Sequence, residues 1–331
     1  MSIHTATYAD HFETAQDQAA RPVAATKRGP AITACVACGS TDIGHWKTKR
    51  FQYTEGSELE EFPIDRCGRC GTGFINPPPS PEWLREIYQY SGHALTGPTS
   101  LDEVMAREER FPNSTVDAAR MARRADKLNK SGSDAALDIG SGFGFYTRAL
   151  RQRGFRTVSI NPGGYENAVF KQMNGYEPLP IMLEDYQPES PFGVVVLSQV
   201  LEHLLEPEQA VSRIASMLKS GGVLACAVPN FDAFTVKLLG TRDNACLWVP
   251  EHVNYFTVRG LKTLLESNGF KVVLTEQVTR APRGWLMKHL PAGGPLAAVL
   301  DRLTGWLEKP LAWVMNGLGL GIYFNVYAVK E

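Results

Sequence analysis

From Ala135 onward, short apolar runs alternate with amphipathic stretches. The runs at 135–139, 156–160, 193–198, 222–228, 270–278 and 321–329 have the length and β-branched content of buried strands. The segments 145–153, 207–218 and 258–268 repeat apolar residues every three or four positions, as helices do. This alternation predicts βαβ units and a doubly wound α/β sheet covered on both faces. The last run, Ile322 to Val329, has no helix after it and is expected to pair antiparallel at an edge. Upstream, 114–128 predicts a helix with Ala118, Met121, Ala122, Ala125 and Leu128 on one face. A shorter helix is expected over 81–88, capped by Ser80 with Pro81 in its first turn. Residues 92–113 read as a loop-rich linker.

Asn76-Pro77-Pro78-Pro79 closes a separate small unit. The expected organisation is a tail (1–30), a compact unit (31–80), a helical linker or cap (81–130) and an α/β domain (131–331) with a helical insertion at about 281–320. The insertion sets Trp285, Trp306 and Trp313 among Leu and Pro, broken by Asp301, Arg302, Glu308 and Lys309. A substrate lid, a homodimer surface, an interfacial patch and plain packing are all open to it.

Composition narrows the class. With 44% hydrophobic and 21% charged residues the chain is ordinary globular protein. Thirty-four basic residues against 35 acidic ones leave a net charge of -1, which argues against a nucleic-acid partner gripped by charge. No apolar run reaches the roughly 18 residues of a membrane helix. No leader pattern is visible, so the expected location is cytoplasmic.

Four of the six cysteines form two C-x-x-C pairs, Cys35/Cys38 and Cys67/Cys70, 28 residues apart. Two such turns supply the four thiolates of a closed tetrahedral Zn2+ site, so a structural zinc ribbon is expected, with no chemistry at the metal. Five basic residues (Lys47, Lys49, Arg50, Arg66, Arg69) face six acidic ones (Asp42, Glu55, Glu58, Glu60, Glu61, Asp65) in this unit, which is no nucleic-acid patch.

The strand 135–139 runs directly into Gly140-Ser141-Gly142-Phe143-Gly144 and then a helix. Glycines at a strand-to-helix turn let backbone approach a ligand closely. Leu137-Asp138-Ile139-Gly140-Ser141-Gly142-Phe143-Gly144 resembles the first motif of class I S-adenosylmethionine-dependent methyltransferases. Phe192–Val196 with Val200–Leu204, Leu218–Leu224, and Glu251–Thr257 with Gly269-Phe270 extend the resemblance over roughly 135–280. It implies a Rossmann-like seven-stranded sheet of order 3-2-1-4-5-7-6, with the last strand antiparallel. It implies S-adenosylmethionine as cofactor, held by Asp138, Gly140, Gly142, Gly144, Asn161, Leu183, Glu184 and Ser198. The N-terminal unit resembles the zinc module fused to some of these enzymes, certain sugar C-methyltransferases among them. The acceptor expected is therefore a small or carrier-linked, sugar-like or natural-product molecule.

Two positions depart from the family pattern. Asn161 stands where an acid usually ends the second strand and accepts from both ribose hydroxyls. Gly193 stands where the fourth strand usually has Asp. For the chemistry, His252 is the expected base, with Glu251 orienting it or sharing the proton and Tyr255 bonding the acceptor. His203, Tyr88 and Tyr90 are candidate acceptor-site residues. A Glu-x-x-Glu-His pattern in ubiquinone-pathway O-methyltransferases implies a divalent metal, but Gln199 replaces its first acid here. Arg120, Arg123, Arg124 and Lys127 share one helix side and read as a solvated stripe or a phosphate contact. Cys226 is expected buried in a strand. An RNA methyltransferase, or a non-methylating protein on the same fold, are the competing readings.

Overall fold

The computed structural model describes residues 27–52, 59–90, 100–110, 113–163, 165–279, 310 and 312–331, without the side chains of 86–90, 110 and 165. The tail before 27, the side chains of Tyr88 and Tyr90, and 281–309 of the insertion lie outside the described residues. The N-terminal half holds β1 (Ile43–Gln52), β2 (Leu59–Cys67), β3 (Gly73–Ile75), α1 (Pro81–Tyr90), α2 (Leu101–Arg110) and α3 (Asn113–Leu128). Then follow β4 (Ala135–Ile139), α4 (Phe145–Gln152), β5 (Arg156–Ile160), α5 (Tyr165–Asn174), β6 (Phe192–Ser198) and α6 (Pro207–Met217). The chain ends with β7 (Leu218–Pro229), α7 (Phe234–Leu239), β8 (Asn254–Tyr255), α8 (Val258–Glu266), β9 (Phe270–Val278) and β10 (Tyr323–Lys330).

The large sheet runs β5-β4-β6-β7-β10-β9, with β10 antiparallel to both its neighbours. β4 pairs parallel with β5 and β6, and β6 with β7. Six of the seven expected strands are present. The seventh, outside β5, shrinks to one parallel bridge between Ile160 and Leu179. Leu179 donates to the Ser159 carbonyl at 2.9 Å and accepts from the Asn161 amide at 3.0 Å. Pro178 and Pro180 flank it and have no N–H to extend the ladder.

Alternation along the strands fills both faces. Leu137, Ile139, Val195, Leu197, Leu224, Cys226 and Val228 pack beneath Val211 and Ile214 of α6 and Leu261, Leu264 and Leu265 of α8. Ala136, Val194, Val196, Val223 and Ala225 pack beneath Met121 and Ala122 of α3 and Leu150 of α4. The expected 92–113 linker contains α2. Its mostly charged sequence hides the period, while Ser100 caps it at the Glu103 amide and Val104 anchors it in the core. Gly193 has a steric reason: a Cβ there would sit 2.4 Å from the Ser133 carbonyl oxygen.

A second sheet, β1-β2-β3-β8, belongs to the ribbon but takes its last strand from the α/β part of the chain. Gly73 pairs with Tyr255 and Phe74 with Asn254. Phe62, Ile64, Ile75 and Trp83 share a core with Phe231, Leu247, Val249 and Tyr255. Thr257 joins the two units again: it caps α8 by accepting from the Gly260 amide at 3.0 Å and donates to the Cys70 carbonyl at 2.8 Å. Thr257→Val removes both bonds. The expected loss is about 1–2 kcal/mol in urea unfolding; an unchanged midpoint would show that this link carries no stability.

Candidate functional site

The four ribbon cysteines converge. Their sulfurs all lie within 4.8 Å of one another, with Cys35–Cys70 at 3.5 Å and Cys38–Cys67 at 3.6 Å. Zn–S bonds of about 2.3 Å in a tetrahedron put sulfurs about 3.8 Å apart, whereas a disulfide needs about 2.05 Å. Both C-x-x-C turns close in the same way. The Gly39 amide donates to the Cys35 carbonyl and the Gly71 amide to the Cys67 carbonyl, each at 2.9 Å. Amides also point at sulfur, Ala37 to Cys35 at 3.5 Å and Cys70 to Cys67 at 3.4 Å, as thiolates require.

At the C-terminal ends of the parallel strands the glycine turn follows β4. Gly140, Gly142 and Gly144 have φ of +65°, +48° and +90°. A Cβ at Gly140 would strike Val200 at 2.4 Å, and one at Gly144 would strike Phe170 and Asn174; one at Gly142 would meet nothing within 4 Å. The outer two glycines are thus required by packing, and the middle one presents bare backbone to open space. The Ser141 hydroxyl beside it is buried and has no partner among the described residues. Such an uncovered cradle with an orphan hydroxyl suits a nucleoside cofactor. Asn161 ends β5 and is buried (5% exposed), and Ser198 ends β6 half-buried. Leu183 packs in the main core and its carbonyl accepts from Arg213 at 2.9 Å, while Glu184 is exposed beside it.

Beyond β6 the backbone is bent sharply. Gln199 has φ +57°, an uncommon value for a residue with a side chain, and donates to the Ala227 carbonyl at 2.8 Å. The turn 201–203 follows, and the loop before β8 folds onto it. Val253 donates to the Glu202 carbonyl at 2.9 Å, and His203 Nδ1 lies 3.0 Å from the Glu251 carbonyl oxygen. The rings of His203 and His252 meet edge to face at 4.7 Å. Ligating atoms of Glu202, His203 and His252 all fall within 4.8 Å of one another. Both Glu202 carboxyl oxygens are buried without a hydrogen-bond partner among the described residues, and burial pushes this carboxyl up to about 8. Burial also raises Glu251 to about 8, opposed by a bond from Trp248. Tyr255 is fully buried against Phe231, its hydroxyl without a hydrogen-bond partner among the described residues.

His252 (8% exposed) has Nδ1 2.8 Å from the Cys246 carbonyl oxygen. A carbonyl only accepts, so Nδ1 carries a proton toward it. The ribbon reaches this loop through Lys49 of β1. Its buried ammonium donates to the Asp243 carbonyl at 2.8 Å and to Asn244 Oδ1 at 2.6 Å, and the Asp243 carboxylate accepts from the Cys246 amide at 2.7 Å. Burial lowers Lys49 to about 8.

Of the residues named from sequence, the structure brings His203, Glu251 and His252 together and sets Tyr255 against Phe231; Glu202 and Lys49 were not named as site residues. A lone acid inside Val-Leu-Glu-His-Leu-Leu was the available signal for the first. Lys49 carried none, being one of several ribbon cations. Two of the four residues of the basic stripe are paired: Arg120 with Asp117, and Arg124 Nε with Glu276 at 3.1 Å.

Asp138 is buried and bonded to α4 through Thr147. Thr147 Oγ1 donates to it at 2.6 Å, Ser159 Oγ lies 2.7 Å from Thr147, and Tyr176 OH lies 3.1 Å from Ser159. Three hydroxyls thus chain onto one carboxyl beneath the turn. Burial raises Asp138 to about 7 against the opposing Thr147 bond. Between the ordinary aspartate range and pH 7 the folded chain keeps a proton the unfolded chain has released. Stability from this group therefore falls as pH rises across that window, by about 1.4 kcal/mol per pH unit. Asp138→Asn should flatten the difference in urea unfolding between pH 5 and 7; parallel pH profiles for the two proteins would contradict it.

A family model for a methyltransferase domain matches residues 105–275, just over half of the chain. A ubiquinone biosynthesis O-methyltransferase of Rhodopseudomonas palustris is 26% identical over 172 residues, covering 49% of this chain and 68% of that protein. The namesake from Bradyrhizobium diazoefficiens is 27% identical over 174 residues, with the same coverage. Among solved structures, a Thermotoga maritima methyltransferase described as a possible histamine N-methyltransferase aligns with a TM-score of 0.45 at 16% identity, covering 69% of this chain and 96% of that one. A methyltransferase from Haloferax volcanii, solved with the Trm112 activator, gives 0.46 at 15%, covering 69% and 93%. No helix among the described residues is long and apolar enough to cross a membrane. With the glycine cradle, the sheet order and the family match in agreement, the chain belongs to the methyltransferase-domain family and is a class I S-adenosylmethionine-dependent methyltransferase.

Proposed function

We propose that the chain methylates a small or carrier-linked acceptor, sugar-like or natural-product in character, with His252 as the base. The observation that carries this reading is the contact of His252 Nδ1 with the Cys246 carbonyl, which fixes the ring with Nδ1 as donor and makes Nε2 its basic nitrogen. When bound, S-adenosylmethionine supplies an activated methyl group on sulfur. The residues that would hold it are Gly140 to Gly144, the Ser141 hydroxyl, Asn161 and Ser198, with Leu183 and Glu184 on the adenine side. His252 takes the proton of the acceptor, beside the buried carboxyl of Glu202. Tyr255, His203, Tyr88 and Tyr90 are the candidate acceptor contacts.

The pairing of Arg120 and Arg124 with acids favours a small acceptor over RNA. Zn2+ in the four-cysteine site is structural: its ligand set is closed, and its role is to hold β3 against β8. One second reading has support in the orphaned Glu202 carboxyl: the trio of Glu202, His203 and His252 takes a divalent cation. Turnover that rises on adding Mg2+ to the zinc-loaded protein would favour it.

His252→Ala should lower turnover by a factor of about 100 to 10,000, the range for losing a general base. S-adenosylhomocysteine binding measured by calorimetry should stay as in the wild type. Unaltered turnover removes His252 from the mechanism. Metal analysis should find one zinc per chain, lost in Cys67→Ala; a zinc-free wild type with an intact melting transition would refute the ribbon assignment.

A further inference from the structure

We infer that Glu166, in the first turn of α5, is a cofactor-binding residue: it supplies the carboxylate for the ribose that Asn161 lacks. The inference rests on the reading of the glycine turn as the S-adenosylmethionine site. In a doubly wound sheet, the acceptor for ribose hydroxyls stands about twenty residues beyond the glycine turn, at the end of the second strand. Here that place is Asn161, an amide. A ribose diol offers two O–H donors, and one amide oxygen is a weak neutral match for both.

The orientation of Asn161 is fixed by its neighbours. Its Nδ2 donates to Asn167 Oδ1 at 2.7 Å and to Glu166 Oε2 at 3.4 Å. Asn167 Nδ2 donates in turn to the Asn161 carbonyl at 3.3 Å, so the Asn167 amide cannot be reversed. A carboxylate accepts only, so Asn161 must turn its NH2 toward Glu166 and its Oδ1 away from it. Both N–H groups are then used, and two acceptors remain: the Asn161 oxygen and the Glu166 carboxylate. Gly163 makes room for the second. A Cβ at 163 would lie 2.9 Å from Glu166 Oε2 and 3.2 Å from Asn161 Nδ2. The carboxylate is half-buried in the first turn of α5. An aspartate at 161 would instead set two carboxylates against each other, which accounts for the amide. The family's single acid is thus divided into an amide on the strand and a carboxylate on the following helix.

Calorimetry with S-adenosylhomocysteine on the zinc-loaded full chain tests this. Glu166→Gln should weaken binding about tenfold, the step from a charged to a neutral acceptor. Asn161→Asp alone should not tighten it, because Glu166 opposes the new charge. Asn161→Asp with Glu166→Gln should return binding to within about threefold of the wild type, since one carboxylate again faces the diol. A merely structural Glu166 would not show that rescue. Wild-type affinity in Glu166→Gln overturns the inference, as does a double variant no better than Glu166→Gln. A lowered ligand-free melting temperature in Glu166→Gln together with no rescue assigns the residue to folding instead. If the wild type itself gives no heat while Glu166→Gln is equally silent, the cofactor reading has failed along with it; heat in the wild type and an unchanged Glu166→Gln fails the inference alone.

Discussion

A two-residue strand carries the architecture of the site. Asn254 and Tyr255 lie in the α/β part of the chain but hydrogen-bond to β3 of the ribbon, so the loop before them is stretched between two bodies. That loop holds Glu251 and His252. Its remaining ends are fastened on both sides: Ile75 of the ribbon donates to the Val253 carbonyl at 3.0 Å, and Asn254 Nδ2 donates to the Leu204 carbonyl at 2.6 Å. A loop of this length left to itself would sample many conformations, and fixing each residue costs about 1–2 kcal/mol. The ribbon supplies that ordering. The four-cysteine unit therefore sets the position of Glu251 and His252, which lie far from it in sequence.

The buried polar cluster makes sense only with this rigidity. Glu202, Glu251, His203 and His252 are packed where burial disfavours charge, and both glutamates respond by keeping their protons to about 8. Buried polar groups without full partners are costly, and they persist where surrounding structure over-determines them. The left-handed Gln199 is a second local cost at the same edge of the sheet. Lys49, the carbonyl of Asp243 and the amide of Cys246 form the brace on the ribbon side. Strain, orphaned oxygens and a fixed histidine tautomer coincide at the C-terminal end of β6, where an open α/β sheet places its ligands.

How far this was readable from residues alone follows from the physics of each element. Strands β4, β6 and the body of β7 were legible because two buried faces demand continuous apolar runs. The glycine cradle was legible because its φ values admit little else. The four cysteines were legible from spacing. α2 and α5 were not, since their polar sequences bury few residues and tertiary contacts hold them. The seventh strand was misjudged in extent because two prolines stop its ladder at Leu179. The shared strand β8 was invisible: two residues carry no period, and their partner lies some 180 positions away. For the same reason no local pattern could reveal Lys49, whose bonds reach Asp243 and Asn244.

The two departures from the family pattern resolve differently, and the contrast is instructive about what a motif position encodes. Gly193 has no room for a side chain because the loop at 129–133 fills that space, with the Ser133 carbonyl and the Asn129 amide both inside the volume a Cβ would need. Nothing there is aimed at the cradle, and the replacement is a packing event. Asn161 has kept a polar side chain at full burial and has tied it to a carboxylate five residues on. A position emptied for packing leaves no neighbouring group in compensating geometry. A position whose task has been redistributed does, and the carboxylate beside Asn161 is such a group, on the helix that begins where the ribose would lie.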